Sequence, residues 1–84
     1  MKNFKIKKTS IRWVVALKEE AQIILEHFKL KAVNEKTIYP IYKNEQETHW
    51  LIISGIGRSN AAASTAYLYS FSKASKYTSW VNIG

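Results

Sequence analysis

Apolar residues at the start of the chain change from a continuous run to a helical spacing. Residues 11–17 are apolar at almost every position and rich in β-branched side chains, which is typical of a strand covered on both faces. Beyond residue 17 the apolar positions recur every three to four residues. This spacing predicts a helix over residues 18–29, with Glu19 and Glu20 in the first turn, where the helix dipole favours negative charge.

The middle of the chain predicts a β-hairpin. Residues 31–37 are polar and mixed in charge, so we expect a connection there. Residues 37–43 are typical of a strand, but Pro40 cannot donate to a ladder and would confine that strand to an edge or a bulge. Residues 48–54 form a second apolar strand. The short polar segment 44–47 between the two predicts a turn, and therefore an antiparallel pair.

Glycine and alanine mark the next change of structure. Gly55-Ile56-Gly57 ends the second hairpin strand, and residues 58–60 (Arg-Ser-Asn) supply candidate capping groups before a helix predicted over residues 61–69. Small side chains there would let the helix lie close to a sheet. Residues 79–84 open another strand, so the predicted order is β-α-β-β-α-β, which indicates the α/β class.

Composition allows one small domain and excludes several classes of protein. The chain has 84 residues, of which 46% are hydrophobic, so a two-domain enzyme and a disordered tail are both excluded. The absence of cysteine excludes disulfides and thiolate metal sites. The apolar run after the basic start is too short for a signal peptide, and no run approaches the ~18 residues of a membrane span. We expect a soluble, unexported, cytoplasmic chain without a membrane partner.

The net charge of +7 is unevenly distributed along the chain. Residues 1–12 contribute +5, residues 13–50 contribute −1 and residues 51–84 contribute +3. We interpret residues 1–10 as a disordered basic leader before a domain over residues 11–84. A nucleic-acid partner is disfavoured, because phosphate contacts normally need a folded basic face. The alternative is a small basic module that binds RNA through the leader and exposed Tyr or Trp side chains.

Two segments could carry chemistry. Residues 55–60 match two-thirds of a dinucleotide fingerprint, but Asn60 stands in place of the third glycine and no acid follows near the required spacing. The segment still predicts a strand-to-helix turn. The backbone N–H groups of this turn could bind an anion or a sugar, or the turn could need glycine only for its geometry. Glu19 and Glu20 lie where the first strand gives way to its helix. A carboxylate there could act as a general base, or both could be solvated first-turn residues.

Other catalytic arrangements are not supported. His27 and His49 fall on different predicted elements and lack paired ligands, so no metal site is expected. All six acidic residues are glutamate, so no Ser-His-Asp arrangement can be assembled.

Three motifs taken in order resemble a known family. They are residues 14–20 (VVALKEE), residues 53–62 (ISGIGRSNAA) and residues 81–84 (VNIG). Together they resemble the start of the nucleoside phosphorylase/nucleosidase superfamily, and most closely the methylthioadenosine/S-adenosylhomocysteine nucleosidases. The resemblance covers about residues 11–84. It implies the N-terminal β-α-β-β-α-β portion of a three-layer, phosphorylase/hydrolase-like α/β sandwich with a mixed sheet.

The resemblance also implies a reaction. Family members cleave the N-glycosidic bond of a nucleoside with water or with phosphate, without a cofactor or a metal, and are commonly homodimers. Glu20 matches the glutamate that activates the attacking water. Ile56 matches a residue that lines the ribose and 5′-substituent region, and Gly55 and Gly57 belong to the same substrate-binding turn.

This chain departs from the family in four respects. Val15 stands where a glycine is common, and Lys18 replaces an acid. The aspartate that protonates the leaving base is absent, and family members are more than twice this length. We therefore expect the N-terminal part of such an enzyme, inactive by itself. The alternative is a degenerate, inactive fragment.

Overall fold

The computed structural model describes residues 10–84, which form a five-stranded mixed sheet with two helices. The predicted α/β class and the mixed sheet are confirmed. The elements in chain order are β1 (Ser10–Val15), α1 (Lys18–His27), β2 (Lys31–Ala32), β3 (Ile41–Lys43), β4 (His49–Ile53), α2 (Arg58–Phe71) and β5 (Thr78–Ile83).

Strand β1 lies inside the sheet, whose order is β2-β3-β4-β1-β5. It pairs in parallel with β4 and with β5, so that Val14 lies opposite Ile52 on one side and Asn82 on the other. Strand β3 runs antiparallel to both β4 and β2. The continuous apolar run of β1 fits this position, because helices cover both faces of a parallel sheet region.

The two helices cover opposite faces of the sheet. Val15 and Leu51 belong to one cluster with the buried residues of α1, whereas Val14 and Ile52 belong to a second cluster with Leu68 of α2. Side chains of consecutive strand residues point to opposite faces of the sheet, so Val14 packs into one core and Val15 into the other. Each face of the sheet is thus buried by one helix.

The hairpin is confirmed as an antiparallel pair, but its first strand was predicted too long. Strand β3 begins at Ile41, directly after Pro40, because proline has no N–H to contribute to the ladder. The Pro40 carbonyl accepts a hydrogen bond from Ile53 N–H at 3.1 Å. The prediction that Pro40 places this strand at an edge or a bulge does not apply, because Pro40 precedes β3, and β2 pairs with the outer side of β3 through Lys31 opposite Lys43. Part of the predicted 31–37 connection is therefore a strand.

Helix α2 begins earlier than predicted. Its first residue is Arg58 and its N-cap is Gly57, so residues 58–60 form the first turn and are not caps. The side chain of Asn60 donates to the Ile56 carbonyl at 2.8 Å instead of capping the helix. The helix also extends to Phe71, two residues beyond its predicted end.

The proposed leader lies almost entirely outside the described part of the chain. The structure describes none of residues 1–9, while Ser10 is already the first residue of β1. Within residues 10–84, neither helix has the length and apolar character needed to cross a lipid bilayer.

Candidate functional site

The candidate site is a cleft at the carboxyl ends of β1 and β4. These strands are parallel neighbours, so their carboxyl ends share one edge of the sheet. The chain leaves β1 towards α1 on one face and leaves β4 towards α2 on the other. Such a divergence opens a crevice at the strand ends, where open α/β sheets usually bind ligands.

Backbone hydrogen bonds hold the floor of the cleft together. Ala16 N–H donates to the Ile83 carbonyl at 3.0 Å, and Ser54 N–H donates to the Val15 carbonyl at 2.9 Å. Gly84 lies so close to Ala16 that a Cβ added to the glycine would be 3.1 Å from the Ala16 Cβ. The ends of three neighbouring parallel strands are therefore fixed relative to one another.

The cleft encloses about 510 Å³, which falls within the range of small-molecule sites. All four site residues predicted from the sequence line this one cavity. The full lining is Ala16, Leu17, Glu20, Ser54, Gly55, Ile56, Gly57, Arg58, Ala61, Asn82 and Gly84.

Glu20 lies in the first turn of α1 and is exposed to solvent. The next residue, Ala21, is completely buried and donates its N–H to the Leu17 carbonyl at 3.1 Å. This contact fixes the helix backbone that carries the carboxylate. Within residues 10–84, the side chain of Glu20 makes no hydrogen bond or ion pair, so its carboxylate oxygens are available to a ligand or a water molecule.

Gly55 and Gly57 form the wall opposite α1 in conformations that side chains rarely adopt. Their φ angles are +81° and +117°. An added Cβ would meet only Asn60 Nδ2, at 3.7 and 3.8 Å, which is ordinary contact. Backbone conformation, and not lack of space, is therefore what requires glycine here. Gly55 N–H donates to the Ala16 carbonyl at 3.1 Å, which joins the turn to the end of β1.

Ile56 gives the cleft an apolar rim. Its side chain is 76% exposed, and Leu17 on the α1 side is 40% exposed. Both residues line the cavity. An apolar rim beside a free carboxylate suits a ligand that has both apolar and hydrogen-bonding groups.

Sequence reasoning missed three polar residues of the cleft. Ser54 is buried and donates its hydroxyl to the Gly55 carbonyl at 2.9 Å, so it supports the turn. Arg58 was assigned to capping, and Asn82 was only part of a predicted strand, yet both line the cavity. No local signal identifies Asn82, because it reaches the cavity only through the parallel pairing of β5 with β1.

The two histidines lie outside the cleft, in an aromatic cluster at the C-terminal end of α1. The His49 ring stacks on Phe28 with 4.2 Å between centroids, and His27 meets the same ring edge-on at 4.7 Å. Trp13 Nε1 donates to His49 Nδ1 at 3.4 Å. Burial lowers the pKa of His49. Across residues 10–84, no three His or acidic side chains converge on a metal site.

The aromatic surface required by the RNA-binding alternative lies along α2 and β5. Tyr69 is 52% exposed and stacks on Trp80 with 6.2 Å between ring centroids. Tyr77 is 54% exposed, and Lys76 Nζ lies 5.3 Å from its ring centre. The basic leader lies outside the described residues, so RNA binding remains a prediction.

Comparison of the chain with protein-family models, with curated proteins and with solved structures found no match. Any function assigned to the chain therefore depends on the residues of the cleft and on the resemblance of its motifs.

Proposed function

We propose that the chain is the N-terminal part of a nucleosidase or nucleoside phosphorylase-like enzyme. Its reaction is cleavage of the N-glycosidic bond in a purine nucleoside such as methylthioadenosine or S-adenosylhomocysteine. The observation that carries the proposal is the cleft itself, in which Glu20 and the Gly55-Ile56-Gly57 turn line one cavity at the carboxyl ends of β1 and β4. On this proposal the sheet belongs to a three-layer phosphorylase/hydrolase-like sandwich.

The free carboxylate of Glu20 suits the role of general base. A water molecule hydrogen-bonded to it would form the new O–C bond at the anomeric carbon of the ribose while the C–N bond to the base breaks. The proton of the water passes to Glu20, and the bonding electrons of the C–N bond leave with the base. Because Glu20 is unpaired within residues 10–84, no ion pair has to break before it accepts that proton.

The turn and the apolar rim would hold the sugar. Gly55 and Gly57 lack side chains, so the backbone there can approach a ribose closely. Ile56 would contact the apolar part of a 5′-substituent, consistent with its 76% exposure at the rim. Together these residues would place the anomeric carbon within reach of Glu20.

Departure of the base requires a second acid to protonate it. Glu20 is the only acidic side chain that lines the cleft within the described residues. The whole chain contains no aspartate. We therefore propose that the 84-residue chain binds a nucleoside without turning it over, and that the complete site forms in a longer, homodimeric enzyme.

The test is a nuclear magnetic resonance titration of the 84-residue chain with methylthioadenosine. We expect shift changes at the amides of Gly55, Gly57 and Glu20. Glu20→Gln should weaken binding about tenfold, since hydrogen bonds to a charged group are the strong ones. Glu19→Gln is the matched control, because Glu19 is an exposed neighbour that does not line the cavity.

Two results would contradict the proposal. Shift changes located away from the cleft, or equal effects of the two glutamate variants, would remove the assigned role of Glu20. Release of adenine by the purified chain would refute the requirement for a second acid.

A further inference from the structure

The outer edge of β5 is open. This strand lies at one end of the sheet and pairs with β1 on its inner side, so no strand within residues 10–84 pairs with its outer side. The Ile83 carbonyl accepts a hydrogen bond from Ala16 N–H at 3.0 Å and therefore points towards β1. Because the direction of the hydrogen bonds alternates along a strand, the backbone N–H and C=O groups of Trp80 and Asn82 point outwards.

Strand β5 lacks the features that usually protect an open edge. Natural edge strands carry lysine, proline or a bulge, which prevents pairing with another chain. The six residues of β5 (TSWVNI) include no charged residue and no proline, and their pairing with β1 continues through every position without a bulge. The edge can therefore accept a further strand.

A groove beside this edge has uncharged walls. It encloses about 690 Å³ and is lined by Asn82 of β5 and by residues of α2 that include Ala62, Ala66 and Tyr69. We call it the α2–β5 groove. Residues 59–72 and 77–84 contain no charged side chain, although the whole chain carries a net charge of +7. A nucleic acid would need cations on this face, whereas two copies of the chain can meet here without bringing like charges together.

We propose that two copies of the chain pair through β5 in antiparallel orientation, so that their sheets join into one. The two-fold axis passes beside Val81, which lies opposite Val81 of the second copy. Trp80 then exchanges both of its outward backbone hydrogen bonds with Asn82 of the second copy, and symmetry repeats this pair. A register centred on Trp80 would instead place two indoles opposite each other, although Tyr69 already stacks on that ring.

The register centred on Val81 also fills the α2–β5 groove. Side chains directly opposite each other in an antiparallel pair lie on the same face of the sheet. Trp80 of the second copy therefore lies beside Asn82, on the face that carries α2. There its indole would cover Ala62 and Ala66, which are exposed in the single chain, and would bury apolar surface.

Disulfide trapping tests the register, because the chain itself contains no cysteine. Val81→Cys should form an intermolecular disulfide in an oxidising glutathione buffer. Opposite residues at a non-hydrogen-bonded position have Cα atoms about 4.5 Å apart, within the range of a disulfide. Ser79→Cys is the matched control, because Ser79 shares the face of Val81 but would lie opposite Ile83 of the second copy. Equal crosslinking of the two variants on a non-reducing gel would overturn the proposed pairing.

Sedimentation velocity at increasing concentration should show a dimer of the 84-residue chain. Asn82→Pro should weaken dimerisation about tenfold or more, because it removes an outward N–H that the single chain does not use in its ladder. Asn82→Ala keeps this N–H and is the control. Ala66→Glu places a charge in the groove and should also weaken the dimer, whereas Ala63→Glu should not, because Ala63 is exposed on the same helix outside the groove. Thermal unfolding of each variant checks that the fold is retained.

Four results would overturn the proposal. They are a monomer at every concentration, a dimer that Asn82→Pro and Ala66→Glu leave intact, dimerisation that requires removal of residues 1–9, and a monomer that binds single-stranded RNA through Tyr69 and Trp80. The third result would assign the edge to the N-terminal segment of the same chain, and the fourth would assign this face to nucleic acid. The role proposed for Glu20 does not depend on any of them.

Discussion

The guanidinium of Arg12 donates two hydrogen bonds to Ser72, sixty positions later in the chain. Nε reaches the Ser72 hydroxyl at 2.7 Å, and a terminal nitrogen reaches the Ser72 carbonyl at 3.1 Å. Arg12 is only 4% exposed, lies 5.5 Å from the centre of the Trp50 ring and also donates to the Ser10 hydroxyl. Burial lowers the pKa of Arg12, and the charge of Glu47 partly offsets this. Because Ser72 is the C-cap of α2, the strand residue supplies the positive charge that the helix C-terminus favours.

Replacing Arg12 should therefore destabilise the fold from a position outside the cleft. We expect Arg12→Lys to lower the free energy of unfolding by about 1–3 kcal/mol. The single nitrogen of an ammonium group cannot replace the two guanidinium nitrogens that donate to the hydroxyl and the carbonyl of Ser72. Urea denaturation followed by Trp fluorescence measures the change. Ser72→Ala and the double variant complete a mutant cycle. Strict additivity of the two single effects would contradict a direct interaction between Arg12 and Ser72.

Stability should also fall in mildly acidic solution because of His49. Burial holds the pKa of His49 below its usual 6.5, so the unfolded chain binds the proton more readily than the folded one. The contribution of His49 is fully present above about pH 6.5 and is lost as the pH falls through the window beneath that value. Protonation also removes the Nδ1 acceptor of Trp13 Nε1. Unfolding free energies measured from pH 5 to pH 8 should show this slope.

Variants identify the source of the pH dependence. His49→Gln should flatten the slope, whereas His27→Gln should preserve it, since His27 is exposed and meets the aromatic cluster through an edge-on contact with Phe28. An unchanged slope in His49→Gln would assign the effect to another group.

Leu68 is the one large apolar side chain of helix α2 that is completely buried. Leu68 is completely buried among Val14, Ile52 and Trp50, while the adjacent Tyr69 is 52% exposed. Leu68→Ala should cost about 2–5 kcal/mol, a large share of the stability of a small domain. Tyr69→Ala should cost much less. Thermal melting followed by circular dichroism makes the comparison, and similar losses in both variants would show that α2 is held by a different contact.

Most strands of the sheet could be predicted, because their apolar runs and the turn residues that end them are visible in short segments of the sequence. The continuous run around Val14 and Val15 identified a strand covered on both faces, and the two glycines identified the turn into α2. Strand β2 could not be predicted, because Lys31 and Ala32 are exposed and carry no apolar pattern. They form a strand only because Tyr42 and Lys43 lie opposite.

Some residues of the candidate site could likewise be predicted from local sequence signals, and others could not. Glu20, Gly55, Ile56 and Gly57 could be predicted from helix and turn signals together with the motif resemblance. Asn82 reaches the cleft through the parallel pairing of β5 with β1, which joins positions far apart in the chain. The burial of Arg12 likewise depends on Ser72, so a residue counted with the basic start of the chain became part of the core.

The conformation of Gly57 offers a test of the turn that lines the cleft. With φ +117° and ψ 147°, Gly57 occupies a region that is almost exclusive to glycine. Gly57→Ala should therefore destabilise the fold by about 1–3 kcal/mol, although an added Cβ has room beside Asn60. Chemical synthesis of the chain provides the control, because D-alanine at position 57 favours positive φ and should restore most of the lost stability. Equal losses with L- and D-alanine, measured by urea denaturation, would show that a steric contact and not the backbone conformation requires glycine.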